Sequence, residues 1–155
     1  MAGDLRTNRN EMLALVRKFW LLAPDLVGLP GKYPDLVIAD VDNDGNPDEV
    51  NPAAGGNKLP FARVRVQHTQ GQNRAISGRR YRNTGVLTAN LFVPRQRSDA
   101  NMRNILLADA LAMALRKHRG NVYFTGVTPR ERPINNGFSQ VDVVSDFFWD
   151  QFIGA

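Results

Sequence analysis

From Leu87 to Val93 the side chains alternate: Leu87, Ala89, Leu91 and Val93 on one side, Thr88, Asn90 and Phe92 on the other. A period of two is the mark of a strand with one face in a core, and Pro94, which has no amide hydrogen to give a ladder, stops it. The basic run before it, Arg79–Thr84, leads to Gly85, which reads as the pivot into the strand. Upstream, in LPFARVRVQHT, Ala62, Val64 and Val66 alternate with Arg63, Arg65 and Gln67, so the two runs read as antiparallel neighbours.

Two helices are predicted by the other periodicity. Met12, Leu15, Val16, Phe19 and Leu22 recur at spacings of three and four, which gives a helix from about residue 9 to about 22. Asn8 reads as its cap, Glu11 as the residue that returns the capping bond, and Pro24 as its end. The second helix is capped by Ser98, has Asp99 in its first turn, and is closed by Gly120 after Arg116, Lys117, His118 and Arg119. Its segment Ile105–Leu115 has ten apolar residues of eleven, Asp109 being the exception. A helix apolar nearly all round needs cover on both sides. The sheet supplies one, and a neighbouring subunit is the expected second, with Leu107 and Leu111 in core or interface.

Between the helices and strands the pattern breaks. Residues 24–60 hold six prolines and the Gly55-Gly56 pair, with Leu36–Ala39 as a brief strand. An excursion of this length (35–58 at its most irregular) is usually functional or loosely ordered. At the other end Val122–Thr125 starts a strand and Asn135-Asn136-Gly137 is a turn signal. From Ser139 to Asp150 a long alternation follows and reads as an edge or meander strand: Ser139, Val141, Val143, Ser145, Phe147 and Trp149 on one face. The predicted fold is α+β in one domain: an antiparallel sheet with two main helices packed on it.

Composition narrows the function classes. There is no cysteine, so disulfides, thiolate chemistry and cysteine-based zinc sites are excluded. No apolar run reaches the ~20 residues of a membrane helix, and the first ten residues lack the apolar stretch of a signal peptide. His68 and His118 have no acid or ligand at a telling spacing and read as satisfied or exposed histidines. Without a nucleophile elbow, Walker loop, dinucleotide fingerprint or metalloprotease motif, the chain does not read as an enzyme.

Charge changes the picture more. Residues 61–103 hold nine arginines against the single acid Asp99, whereas residues 35–50 hold six acids and no base. Folding does not need such polarity, and it points to electrostatic matching with a partner. Arg63, Arg65, Arg79, Arg80 and Arg82 would form one basic ribbon facing a neighbour's acids, among them the Asp40–Glu49 loop and Asp142, Asp146 and Asp150. A nucleic-acid-binding module is the rival reading of the same ribbon, but only Tyr81 interleaves with the arginines, and the second helix is apolar where base contacts would be made. In the acidic stretch, Asp40, Asp42 and Asp44 with Gly45 match the opening of a calcium loop, and Asp48 falls at its ninth position. The twelfth position is Asn51 and Pro47 and Pro52 forbid flanking helices, so the loop is closer to thrombospondin-type or dockerin repeats than to an EF-hand. The alternative is an Asx-rich turn without metal. Calorimetry of the chain with calcium, beside a variant carrying Asp42→Ala and Asp44→Ala, separates the two: no heat at millimolar calcium leaves the turn.

At LPFARVRVQHT, RRYRNTGVLTANLFVP and ADALAMALRKH the sequence resembles the tail terminator proteins of long-tailed bacteriophages. The Pro60-Phe61-Ala62-Arg63-Val64 opening, the run from Gly85-Val86-Leu87 to Leu91-Phe92-Val93-Pro94, a helix over Asn101–Lys117 and the closing Phe148-Trp149-Asp150 follow that family's order between about residues 8 and 152. The acidic Asp40–Glu49 excursion departs from it. The resemblance implies an α+β subunit of a hexameric ring at the head-proximal end of the tail tube. The ring would end tube growth and meet the head's connector or stopper protein, in the virion's neck after assembly in the host cytoplasm. It implies no catalytic residues. Another head–tail joining protein, a stopper or adaptor, is the nearest alternative.

Overall fold

In the computed structural model, which describes residues 5–28, 33, 36–39, 59–69, 72–73, 80–95, 99–132 and 137–152, the chain opens with α1 (Leu5–Leu21) and the short α2 (Ala23–Val27). It continues through β1 (Val37–Ala39), β2 (Phe61–His68), β3 (Gln72–Asn73) and β4 (Arg80–Pro94). Then come α3 (Ala100–Lys117), β5 (Tyr123–Glu131) and β6 (Phe138–Phe152). The sheet order is β1-β2-β4-β6-β5, with β3 also paired to β4. All pairings are antiparallel except that of β1 with β2. This is an α+β fold, a sheet with helices on one face, as the two periodicities predict.

The register of β2 on β4 places Ala62 opposite Leu91, Val64 opposite Ala89 and Val66 opposite Leu87. All six are buried, and Val141, Val143, Phe147 and Trp149 of β6 extend the same face. Met12, Val16, Phe19 and Trp20 of α1 and Leu107, Leu111 and Leu115 of α3 close over it to make one core. Slipping any of these strands by one residue would turn its arginines or acids into that core, so the register is tightly specified.

Several boundaries differ from the expected ones. Asn8 is not a cap: it lies a turn inside α1 and is fully buried. Glu11 accepts the backbone N–H groups of Asn121 (3.2 Å) and Val122 (2.9 Å) and meets His118 Nε2 at 3.1 Å. It therefore ties the first helix to the end of the third, and His118 does have an acid partner. Pro24 stands in the first turn of α2, where its missing N–H costs nothing, and Gly28 (φ 69°) closes that turn by donating to the Pro24 carbonyl at 3.1 Å. The cap of α3 is Asp99, whose carboxylate accepts from Arg103 Nε at 2.7 Å, while Ser98 is outside the described residues. That helix ends at Lys117 with His118 as its cap, ahead of Gly120.

Gly85 is not a pivot either, since β4 begins at Arg80 and runs straight through it. A Cβ at this position would lie against the Gln67 carbonyl and inside the Phe147 ring, so glycine is there to let three strands approach. β6 is not an edge: it sits between β4 and β5, paired along its whole length to β4. Among the described residues the edges are β1, of three residues, β3, of two, and β5, which carries a bulge between Thr125 and Thr128, Gly126 at φ 61° within it, and Pro129. Short, bulged and proline-bearing edges are how sheets resist pairing with another chain. Contact with a partner therefore falls to the faces of this fold more readily than to its edges.

Candidate assembly surfaces

The two faces of the sandwich have different chemistry. On the helix side, α3 turns Ala100, Asn104, Leu107, Ala108, Leu111, Ala112 and Leu115 inward. Asn104 Nδ2 donates to the carbonyls of Leu91 (2.9 Å) and Ser139 (2.8 Å), pinning the helix across β4 and β6. Leu107 and Leu111 are 0% exposed. They belong to the chain's own core and cannot meet a neighbour. The core half of the expectation for these two leucines holds and the interface half is corrected: four residues apart, they lie on the same inward stripe. The opposite stripe holds Met102, Leu106 and Met113, exposed at 61%, 54% and 47%, with the exposed Asp109 between Leu106 and Met113. The helix is apolar on both sides, and one side is uncovered.

On the other side of the sheet no described helix lies. Its residues run in cross-strand rows. Arg63 of β2, Asn90 of β4 and Asp142 and Arg130 of β6 and β5 form one row; Arg65, Thr88, Val144 and Thr128 form the next. In the first row Arg63 Nε donates to Asn90 Oδ1 at 3.2 Å and Asn90 Nδ2 donates to Asp142 Oδ1 at 2.7 Å. Asp142 also accepts from Gln140 Nε2 (2.9 Å) and Arg132 Nε (2.6 Å). Burial, and next the neighbouring Arg65, hold the Arg63 guanidinium below its ordinary pKa, while Asp142 acts the other way. Further along, Arg82 makes two bonds to the Asp150 carboxylate, 2.8 and 3.0 Å, and lies 4.1 Å over the Phe148 ring. The hydrogen bond to Asp150 raises its pKa above the usual value. Phe148 in turn stacks with Tyr123 at 5.1 Å. A shallow depression of about 310 Å³ beside this stack is lined by Arg82, Thr84, Val86, Thr125 and Asp146 among others.

The predicted basic ribbon is thus divided. Arg63 and Arg65 share the open face as expected. Arg82 is held inside the chain by Asp150, and Asp142 is held by Arg132, so neither acid is offered to a neighbour. Asp146 remains exposed. Arg79 and the side chain of Arg80 lie outside the described residues, as do Asp40, Asp42, Asp44 and Asp48. Among the described residues no three histidine or acidic side chains gather as a metal site would require. His68 is half-buried: its ring stands edge-on to Phe147 and Trp149, its Nε2 has no hydrogen-bond partner among the described residues, and burial, with Arg9 second, lowers its pKa.

Sequence reasoning passed over two members of these surfaces. Asp109 shows only as a break in an apolar run, and Arg130 stands in a proline-flanked segment with no regular pattern. Neither has an ion-pair partner among the described residues. Three comparisons complete the description. No family model matches the chain, and no curated protein does. Among solved structures it is similar to a chain whose name states no function, with 17% identity over 92% of this chain and 98% of that one and a TM-score of 0.49. A likeness that weak carries no argument about function.

Proposed function

We propose that this protein is a structural subunit of a bacteriophage tail, of the tail-terminator type, forming a ring that caps the head-proximal end of the tail tube and joins it to the head's connector or stopper. The observation that carries this reading is the sandwich's two unfinished faces: an apolar stripe on α3, and a part of the other sheet face where the exposed Arg65 and Arg130 have no ion-pair partner among the described residues. Exposed apolar residues grouped on one stripe mark an interaction surface more often than a solvated one. The α+β order of elements is what the resemblance over about residues 8–152 implies for such a subunit. Against the nucleic-acid reading, Arg82 and Arg132 are engaged with carboxylates of the same chain, and the Tyr123–Phe148 pair is already stacked on itself. A base-stacking platform needs free aromatic faces beside free cations.

Negative-stain microscopy of the purified protein, with tail tubes added in a second sample, tests the proposal. Six-fold rings, and tubes that stop growing and carry a cap, are the expected result. A dimer that retains DNA at physiological salt would replace it with the nucleic-acid module. Rings that bind the head connector but leave tube growth unchanged would favour a stopper or adaptor.

A further inference from the structure

The two faces carry complementary charge patterns, and this says which surface each one meets. The stripe on α3 is apolar at Met102, Leu106 and Met113, with one acid, Asp109, within it. α2 packs beside α3, with Gly28 against the Arg103 guanidinium, and Leu22 at its start and Leu26 within it are exposed. The open sheet face is the converse. Arg65 of β2 and Arg130 of β5 stand at its two sides, exposed cations without a described ion-pair partner, and between them lie Thr88 and Asn90 of β4 and the half-buried Val144 and buried Asp142 of β6, the last held by Arg132. The exposed acid of that face, Asp146, lies one row further along β6 than Val144, beside the depression.

We infer that the α3 stripe of one copy docks on the open sheet face of the next, with Asp109 set between Arg65 and Arg130. The inference rests on the ring reading above and names the surfaces that would build the ring. A two-fold pairing of α3 with itself is the competing arrangement. Centred on the stripe, it would bring Leu106 onto Met113 of the other copy but would also set Asp109 against its own equivalent, the exposed Arg116 and Lys117 lying about two turns away at the C-terminal end of the stripe. Like charges facing each other in an interface cost affinity, whereas the sheet face supplies two exposed arginines, its buried Asp142 already paired with Arg132 and its exposed Asp146 one row away. A surface that meets a different surface of the next copy is a heterologous contact, the kind from which rings are made when the rotation closes. The blunted edges, with Pro129 and the bulge on β5 and only three residues in β1, leave these faces as the surfaces on which such a contact can form.

The test is a charge exchange read by native mass spectrometry and sedimentation, with circular dichroism as the check on folding. Asp109→Arg and the pair Arg65→Asp with Arg130→Asp are each placed on exposed positions, so both variants should fold. Each alone should weaken self-association about tenfold or more, because each creates a like-charge contact. A chain carrying all three changes should regain the wild-type oligomer, and an equimolar mixture of the two variants should associate where neither does alone. A wild-type chain monomeric at every concentration reached overturns the inference. So does recovery of Asp109→Arg by mixing with wild type while the arginine variant stays oligomeric, which would show the two-fold. Rings that persist in both variants also overturn it, but they would leave the tail-terminator reading standing on some other surface.

Discussion

Leu107→Asp should unfold the chain, and Leu106→Asp, one residue away, should leave it folded. Leu107 is fully buried between α3 and the sheet. Truncating such a leucine costs about 2–5 kcal/mol, and an unpaired carboxylate in its place adds several more. The sum approaches the whole stability of a domain, commonly about 5–15 kcal/mol. Leu106 is more than half exposed, so a carboxylate there keeps its water and the helix loses only a little propensity. Its effect falls on assembly: a second acid beside Asp109 alters the stripe without touching the core. Urea titration followed by circular dichroism separates the two. A cooperative transition for Leu107→Asp near that of the wild type would contradict the assignment of α3's inner face, and a lost transition for Leu106→Asp would mean the helix is turned the other way.

The pair of leucines shows where the sequence stops being legible. The alternation in β2, β4 and β6 identified every strand's inner face, because a period of two with arginines or acids on one side leaves a single register that keeps charge out of the core. In α3 the same reasoning had nothing to grip. With ten apolar residues in eleven the segment has no preferred side, and only the placement of the sheet decides that Leu107 and Leu111 turn in while Leu106 and Met113 turn out. The start of α1 failed for another reason. Asn8 and Glu11 have the spacing of a capping box, but a box is a local pattern, and Glu11 is taken instead by amides 110 and 111 residues away. Asp142 was read as a surface charge from its strand parity, and Arg82 from the basic run ahead of the strand. Parity was right about the face; it could not reveal that the rows across a wide sheet bring Asp150 beside Arg82 and Arg132 beside Asp142. The acidic stretch from Asp35 to Glu49 is conspicuous in sequence, yet its four candidate calcium ligands fall outside the described residues, so the fold adds nothing to it.

Asp142→Ala should cost far more than Arg132→Ala, although the two form one ion pair. The Arg132 side chain is 52% exposed and the Asp142 side chain 3%. Removing the arginine lets water reach the carboxylate, which still accepts from Asn90 and Gln140, so a loss of about 1 kcal/mol is expected, the range for an accessible pair. Removing the carboxylate strands more. Asn90 can bridge Arg63 and Asp142 because an amide both accepts and donates, the Oδ1 taking the Arg63 N–H while Nδ2 gives to the acid. Without Asp142 the Asn90 and Gln140 amides lose their acceptor, and Arg63, already desolvated beside Arg65, loses its compensating charge. Leaving desolvated amide donors without an acceptor costs about 1–3 kcal/mol each, so the loss exceeds that of the exposed arginine. The expected outcome is a clear fall in the urea midpoint for Asp142→Ala at unchanged slope, and a small one for Arg132→Ala. Arg63→Met combined with Asp142→Ala should then recover part of the loss, since the cation that needed the acid is gone; strict additivity of the two changes would show that Asn90 transmits no coupling between them.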